Sequence, residues 1–270
     1  MGSLEEIKSL IHSYDDWEDI KNKPRPYVFA INKPEQSLVY FGSTHSRESN
    51  NEQFIILEKE WEQFLKKTGE ENRVVFVEGG LRTVRSTKEE AILKDSESGF
   101  ITYLANQATI EIVCPEPDRN TERKELLKEF TKEEIQYYYF ARTIPSWHEV
   151  RKTSDVNFAD HLDRYKQELR KGVDDEWRDF DFSLENMRSI HRKIFHSEFD
   201  EQDIDYIKKI LNPTTEESVV NKVARASSAF RDVNIISKIE EYWNLGKSIF
   251  AVFGFAHAVT EEPALRKLLT

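Results

Sequence analysis

The chain has 270 residues, 38% of them hydrophobic and 33% charged, with a net charge of −11 and one cysteine. It is long enough to bury a sizeable core, and it has no apolar run of the roughly 18 residues that a membrane-spanning helix needs. With so negative a charge and no stripe of Lys and Arg, nucleic acid and membrane are not expected partners.

In chain order, Tyr27–Ile31 and Ser37–Phe41 read as strands, being short, rich in Val, Ile, Phe and Tyr, and bounded by turn formers. Asn51–Lys67 reads as a helix with Phe54, Leu57, Trp61 and Phe64/Leu65 on one stripe, stopped at Thr68-Gly69. Arg73–Val77 is a third strand, Ala91–Gln107 a less regular helix, and Ile110–Cys114 a fourth strand with Cys114 expected as a buried, inert thiol. Two helices are expected over Thr121–Arg142, with Tyr137–Phe140 packing them, and another over Phe158–Gly172. The acidic run Asp174–Asp181 reads as a solvated loop or helix end. Leu184–Leu211 reads as helical up to the break at Asn212-Pro213. Thr214–Leu245 reads as one long helix ending at Gly246, with Val233, Ile236, Ile239 and Trp243 facing inward. Ser248–Phe253 is the last strand, with Thr260-Glu261-Glu262-Pro263 opening the final helix. Strand and helix alternate at both ends around a helical middle, which predicts a single α/β domain over residues 1–270. Its central sheet is mainly parallel, since Val74–Val77, Ile110–Cys114 and Ile249–Phe253 are nearly continuous apolar runs, and a helical insertion occupies roughly 120–212.

Two segments repeat one pattern. Leu38–His45 and Ile249–His257 each run from a strand through Gly-x-x-His toward a helix, which predicts two related halves sharing one sheet. The strand ends of a parallel sheet share an edge, outside which ligands bind. That edge collects Gly42 and His45, Glu78 with Gly79-Gly80, Glu116 and Asp118, and Gly254 and His257. The motif glycines are expected to turn the backbone sharply beside a ligand. Two histidines and a carboxylate form a common catalytic metal shell, so His45, Glu78 and His257 are the expected ligands of a divalent ion. Glu116, or another acid of the site, is the expected general base. Asp232 is expected to orient a ligating histidine, and Arg231, Arg82 and Arg85 to meet an anionic substrate. His191 and His196, five apart, share no helical face and read as structural. The chain has no Walker loop, GxSxG or CxxC.

At Gly42-Ser43-Thr44-His45, Glu78, Arg231-Asp232 and Gly254-Phe255-Ala256-His257 followed by Leu265–Leu269, the chain resembles the TraB/TIKI family, part of a wider group with erythromycin-esterase-like and ChaN-like proteins. The match covers about half the chain, at its two ends. It departs from the family at Phe255-Ala256 and Ala258-Val259, and a membrane anchor like that of the animal members is not expected. The resemblance implies two strand–helix halves around a central sheet and a divalent-metal peptidase holding manganese or cobalt. Zinc suits the same donor set. The alternatives are a metal-free esterase with His45 as general base and Glu78 orienting it, or a non-catalytic haem- or partner-binding protein. The expected substrate is a peptide or small molecule, and homo-oligomerisation is left open. The single cysteine and the lack of a basic-flanked apolar segment in Met1–Tyr14 point to the cytoplasm.

Overall fold

The structure, a computed structural model, describes residues 4–152, 154–170 and 177–270, so Gly172 and residues 174–176 of the acidic run lie outside the described residues. Along the chain the elements are α1 (Leu4–Leu10), α2 (Trp17–Ile20), β1 (Tyr27–Lys33), β2 (Gln36–Ser43), α3 (Glu52–Lys67), β3 (Arg73–Val77), α4 (Lys88–Gln107) and β4 (Glu111–Val113). There follow α5 (Arg119–Leu126), α6 (Lys132–Ala141), α7 (Thr143–Val150), α8 (Phe158–Arg170), α9 (Leu184–Phe195), α10 (Ile204–Ile210), α11 (Val219–Asn244), β5 (Ser248–Gly254) and α12 (Phe255–Leu269). They divide into two compact units, Met1–Glu116 with Arg231–Thr270, and Pro117–Phe230.

The first unit is α/β. Its sheet has the order β1-β2-β5-β3-β4. β1 and β2 form an antiparallel hairpin closed at Lys33 and Gln36, and the remaining pairs are parallel, so the sheet is mainly parallel as the apolar runs predict. The three inner strands are apolar through their middles, Leu38–Phe41, Val74–Val77 and Ile249–Phe253, because each face is covered. Leu38, Tyr40, Val74, Phe76, Ile249, Ala251 and Phe253 face Val233, Ile236 and Ile239 of α11 and Ala264, Leu265 and Leu269 of α12. The alternate residues Val39, Phe41, Val75, Val77, Phe250 and Val252 face Phe54, Leu57, Trp61 and Phe64 of α3 and Phe100, Ile101 and Leu104 of α4. The two Gly-x-x-His strands, β2 and β5, are neighbours at the centre of this sheet.

The second unit is helical and builds its own core from residues between Leu126 and Ala224, with Tyr137, Tyr138, Tyr139 and Phe140 all buried in it. His191 is buried, with Nδ1 2.6 Å from the Tyr137 hydroxyl.

Several boundaries differ from expectation. The final helix opens at Phe255, immediately after Gly254, and carries Thr260–Pro263 inside it rather than at its start. The segment 184–211 holds two helices, because His196 ends α9 in the left-handed conformation at φ 55 and the Asp203 side chain caps α10. α11 begins at Val219 rather than Thr214, where Ser218 and Asn221 exchange side chain–backbone hydrogen bonds. β4 is three residues long, pairing with β3 only from Glu111 to Val113, and Cys114 beyond it is half-buried rather than buried. α4 is kinked at Ser96.

Candidate active site

The carboxyl ends of β2, β5, β3 and β4 meet at one edge of the first unit, and every element there delivers a charged side chain. His45 lies two residues beyond β2 with φ 54, a left-handed conformation uncommon for a residue with a Cβ. Glu78 follows β3, where its N–H still donates to Val252 O at 3.3 Å. Gly254 caps α12, so His257 stands in the first turn of that helix. Arg231 and Asp232 come from α11, and Glu116 follows β4.

Glu78 is the hub. Its Oε2 accepts from the Gly254 N–H at 2.6 Å and lies 4.0 Å from His45 Nε2. Its Oε1 accepts from Arg231 Nη2 at 3.2 Å and lies 3.6 Å from His257 Nε2. Both rings are held from behind. His45 Nδ1 is 2.5 Å from Glu97 Oε1, and His257 Nδ1 is 2.5 Å from Asp232 Oδ1 and 3.4 Å from Glu261 Oε1. Glu261 Oε2 accepts from the Tyr40 hydroxyl at 2.7 Å. Each imidazole therefore has a carboxylate at Nδ1 and turns Nε2 toward one shared carboxylate, the arrangement that orients metal-ligating histidines.

The charges explain one another. Burial disfavours the charged His257 ring, but Asp232, Glu261 and Glu78 override it and hold its pKa well above the ordinary value. Burial also acts against a charged His45, yet Glu97 and Glu78 push it up to about 9. Burial alone would raise Glu78, but His257, Arg231 and His45 keep it well below the usual carboxylate range. Burial raises Glu261, so it retains its proton to higher pH than an ordinary glutamate, and Asp232 Oδ2 and Glu261 Oε1 have no hydrogen-bond partner among the described residues. The carboxylates Glu78, Glu97 and Asp232 around the two rings are what draw protons to them.

The glycines of the two motifs make room instead of turning the chain. Gly254 has φ −61. A Cβ on it would lie 2.6 Å from His45 Nε2 and 3.3 Å from Glu78 Oε2, while a Cβ on Gly42 would lie 2.6 Å from Ala258 Cβ. The expected sharp glycine turns are therefore absent at these two positions, and the left-handed residue of the first motif is His45.

The structure brings His45, Glu78, Glu116, Arg231, Asp232 and His257 together. Among the described residues, the triads of potential ligands with donor atoms within 4.8 Å of one another are Glu78 with Glu116 and His257, and Asp232 with His257 and Glu261. His45, Glu78 and His257 are not such a triad; Glu78 offers one oxygen to each ring. Glu116, expected as general base, has both oxygens engaged, Oε1 by Arg231 Nε at 2.8 Å and Oε2 by the Gly79 N–H at 2.7 Å. Arg85 is paired with Asp95 at 2.8 Å, and Arg82 Nη2 reaches back to Glu78 O at 3.4 Å. Cys114 Sγ lies 4.0 Å from Glu116 Oε2, and burial raises its pKa. Asp118, also at a strand end, caps α5.

Sequence reasoning missed Glu97, Glu261 and Tyr40. Glu261 was within reach, since His257 and Glu261 stand four apart and share a helix face. Glu97 was announced only by the irregular pattern of α4, and nothing in the run Leu38–Phe41 marked Tyr40 as polar in use.

Compared with models of known families, with curated proteins and with solved structures, the chain matches none. Among the described residues no helix is long and apolar enough to cross a membrane.

Proposed function

We propose that the first unit is a metal-dependent hydrolase of the TraB/TIKI type, acting in the cytoplasm on a peptide or small molecule. The observation that carries this reading is the convergence of two imidazole Nε2 atoms on Glu78, each ring locked at Nδ1 by its own carboxylate. Two imidazoles and a carboxylate are donors of the kind that suit a divalent ion such as manganese, cobalt or zinc. The 3.6 Å from His257 Nε2 to Glu78 Oε1 suits two ligands of one ion whose bonds are each about 2.0–2.2 Å long, while His45 Nε2, 4.0 Å from the other oxygen, would move inward to join them. Gly254 leaves the space between His45 and Glu78 clear of a side chain.

His257 and Glu78 would hold the ion, with His45 as third donor once its exposed ring swings inward. Its Nε2 makes no hydrogen bond among the described residues, whereas Glu116 is engaged by Arg231 and the Gly79 N–H. When bound, such an ion lowers the pKa of a water toward neutrality and polarises the bond under attack. The chain does the rest. Asp232 and Glu97 fix the rings, Glu116 fixes Arg231, and the guanidinium stands beside Glu78 where it can meet negative charge on a substrate.

The test is to add manganese, cobalt or zinc to chelated protein and follow its melting temperature. A ligand specific to the folded state stabilises by about 2.7 kcal/mol at a hundredfold excess over Kd. The shift should weaken as pH falls, because protonated imidazole cannot ligate. It should vanish in His45→Ala/His257→Ala, and His45→Ala alone should weaken it without unfolding the protein, since that ring is exposed. An equal shift in the double variant, or no shift with any of the three ions, overturns the reading.

A second reading is supported by Arg231, which already places positive charge on Glu78 and Glu116. In this metal-free esterase-like site His45 is the general base, oriented by Glu97 at Nδ1 rather than by Glu78 as expected from the sequence. With its pKa raised to about 9, His45 would accept protons only at alkaline pH, so activity insensitive to chelator and rising toward pH 9 selects this alternative.

A further inference from the structure

Helix α4 is broken where it passes the site. Ser96 lies inside it at φ 57 and ψ −144, a conformation that costs a residue with a Cβ about 1–3 kcal/mol. The break is held from several sides. The Ser96 hydroxyl donates to Ser46 O at 2.6 Å and also reaches Glu97 Oε2. Gly99 stands where a Cβ would meet Ala91 O at 2.4 Å and Asp95 Cβ at 2.6 Å, so the folded-back turn fits only without a side chain there. Its product is the placement of Glu97. This glutamate is 3% exposed on a helix that otherwise buries Ile92, Phe100 and Ile101, and its Oε1 is 2.5 Å from His45 Nδ1. His45 is itself left-handed, so two strained backbones meet at one hydrogen bond.

We infer that Glu97, delivered by the break at Ser96, is a positioning residue that holds His45 as the Nδ1–H tautomer with the Nε2 lone pair turned to Glu78. A neutral imidazole carries one N–H, and it stays on the nitrogen within hydrogen-bond reach of a carboxylate, Nδ1 at 2.5 Å from Glu97, rather than on Nε2 at 4.0 Å from Glu78. The inference rests on the reading that His45 acts at this site, as ligand or as base, and does not require the ion.

Nitrogen-resolved NMR of His45 in metal-free protein, at alkaline pH where the ring is neutral, reads the tautomer directly. Wild type should show Nδ1–H. Glu97→Leu, which fills the buried space without an acceptor, should shift the ring to mostly Nε2–H and weaken manganese, cobalt or zinc binding about 10–100-fold. Ser96→Gly should keep the wild-type tautomer, because glycine adopts positive φ without strain. An Nε2–H ring in wild type, or an Nδ1–H ring in folded Glu97→Leu, overturns the inference. If Glu97→Leu does not fold, the wild-type tautomer still decides. A tautomer that changes as expected in proteins that bind none of the three ions supports the positioning role and sinks only the metal reading.

Discussion

The two Gly-x-x-His segments share a spacing and solve different problems with it. His257 sits in the first turn of α12, 6% exposed, with Asp232 and Glu261 behind it in the interior. His45 hangs in a loop with its side chain 57% exposed, kept in place by the single carboxylate that the broken helix supplies. The glycines are reciprocal. Gly42 of the first segment makes room for the helix of the second, and Gly254 of the second makes room for the histidine of the first. One imidazole is thus positioned by the core and the other by a local device. The motif glycines mark where the two segments pack against each other, not where the chain turns.

This contrast is broken most directly at the carboxylates. Asp232→Ala removes the main partner of a buried, charged ring and should cost about 3–5 kcal/mol in chemical denaturation. Glu97→Ala leaves its ring in contact with water and should cost markedly less. Equal losses would show that both histidines are held by the core.

The glycines sharpen it further. Gly42→Ala places a methyl 2.6 Å from Ala258 Cβ and 3.1 Å from Tyr27 O, contacts that cannot move cheaply, so a loss of about 1–3 kcal/mol is expected from overpacking. Gly254→Ala meets the end of the His45 ring, which can swing outward. Its stability should change by less, while metal affinity falls by about the 10–100-fold typical of lost support around a ligand. Gly254→Ala with full metal affinity would remove His45 from the set of ligands.

Much of this site was legible because parallel strands are apolar until they end, so the first charged residue after each run marks the functional edge. Glu78 after Val77 and His45 after Phe41 follow that logic. The Glu97 signal was lost because its position depends on a helix break at Ser96, and the turn formers around it, Asp95, Ser96, Ser98 and Gly99, stand inside a segment that is helical on both sides. Glu261 was obscured for another reason: with Pro263 two residues later, Thr260–Pro263 looked like a helix start, whereas Gly254 had already served as the cap. Fold class follows from periodicity, which is local and redundant. The residues behind the histidines are set by tertiary packing.

The smallest expected effect is the pH dependence of the metal-free protein, and its sign separates protons from ions at the same atoms. His257 and His45 both have folded pKa values above the ordinary histidine value of 6.5. Their contribution is complete below about pH 6.5 and is lost as pH rises through the folded values, about 9 for His45. Glu261, also raised, loses stability in the same direction from about pH 4.5 upward. Glu78 and Glu97 are lowered, so their contribution is present above about pH 4.5 and disappears as pH falls. The chelated protein should therefore be most stable near pH 5 and its melting temperature should decline toward pH 9. His45→Asn should flatten only the alkaline part of that decline, and only slightly, because solvent screens an exposed ring. A divalent ion needs the same nitrogens unprotonated, so the stabilisation it adds must grow over the pH range in which the chelated protein weakens. Melting curves with and without manganese from pH 5 to 9.5 measure both trends. A chelated protein that gains stability between pH 6.5 and 9 would show that the carboxylates do not hold the two rings charged, and the account of the site's electrostatics would fall.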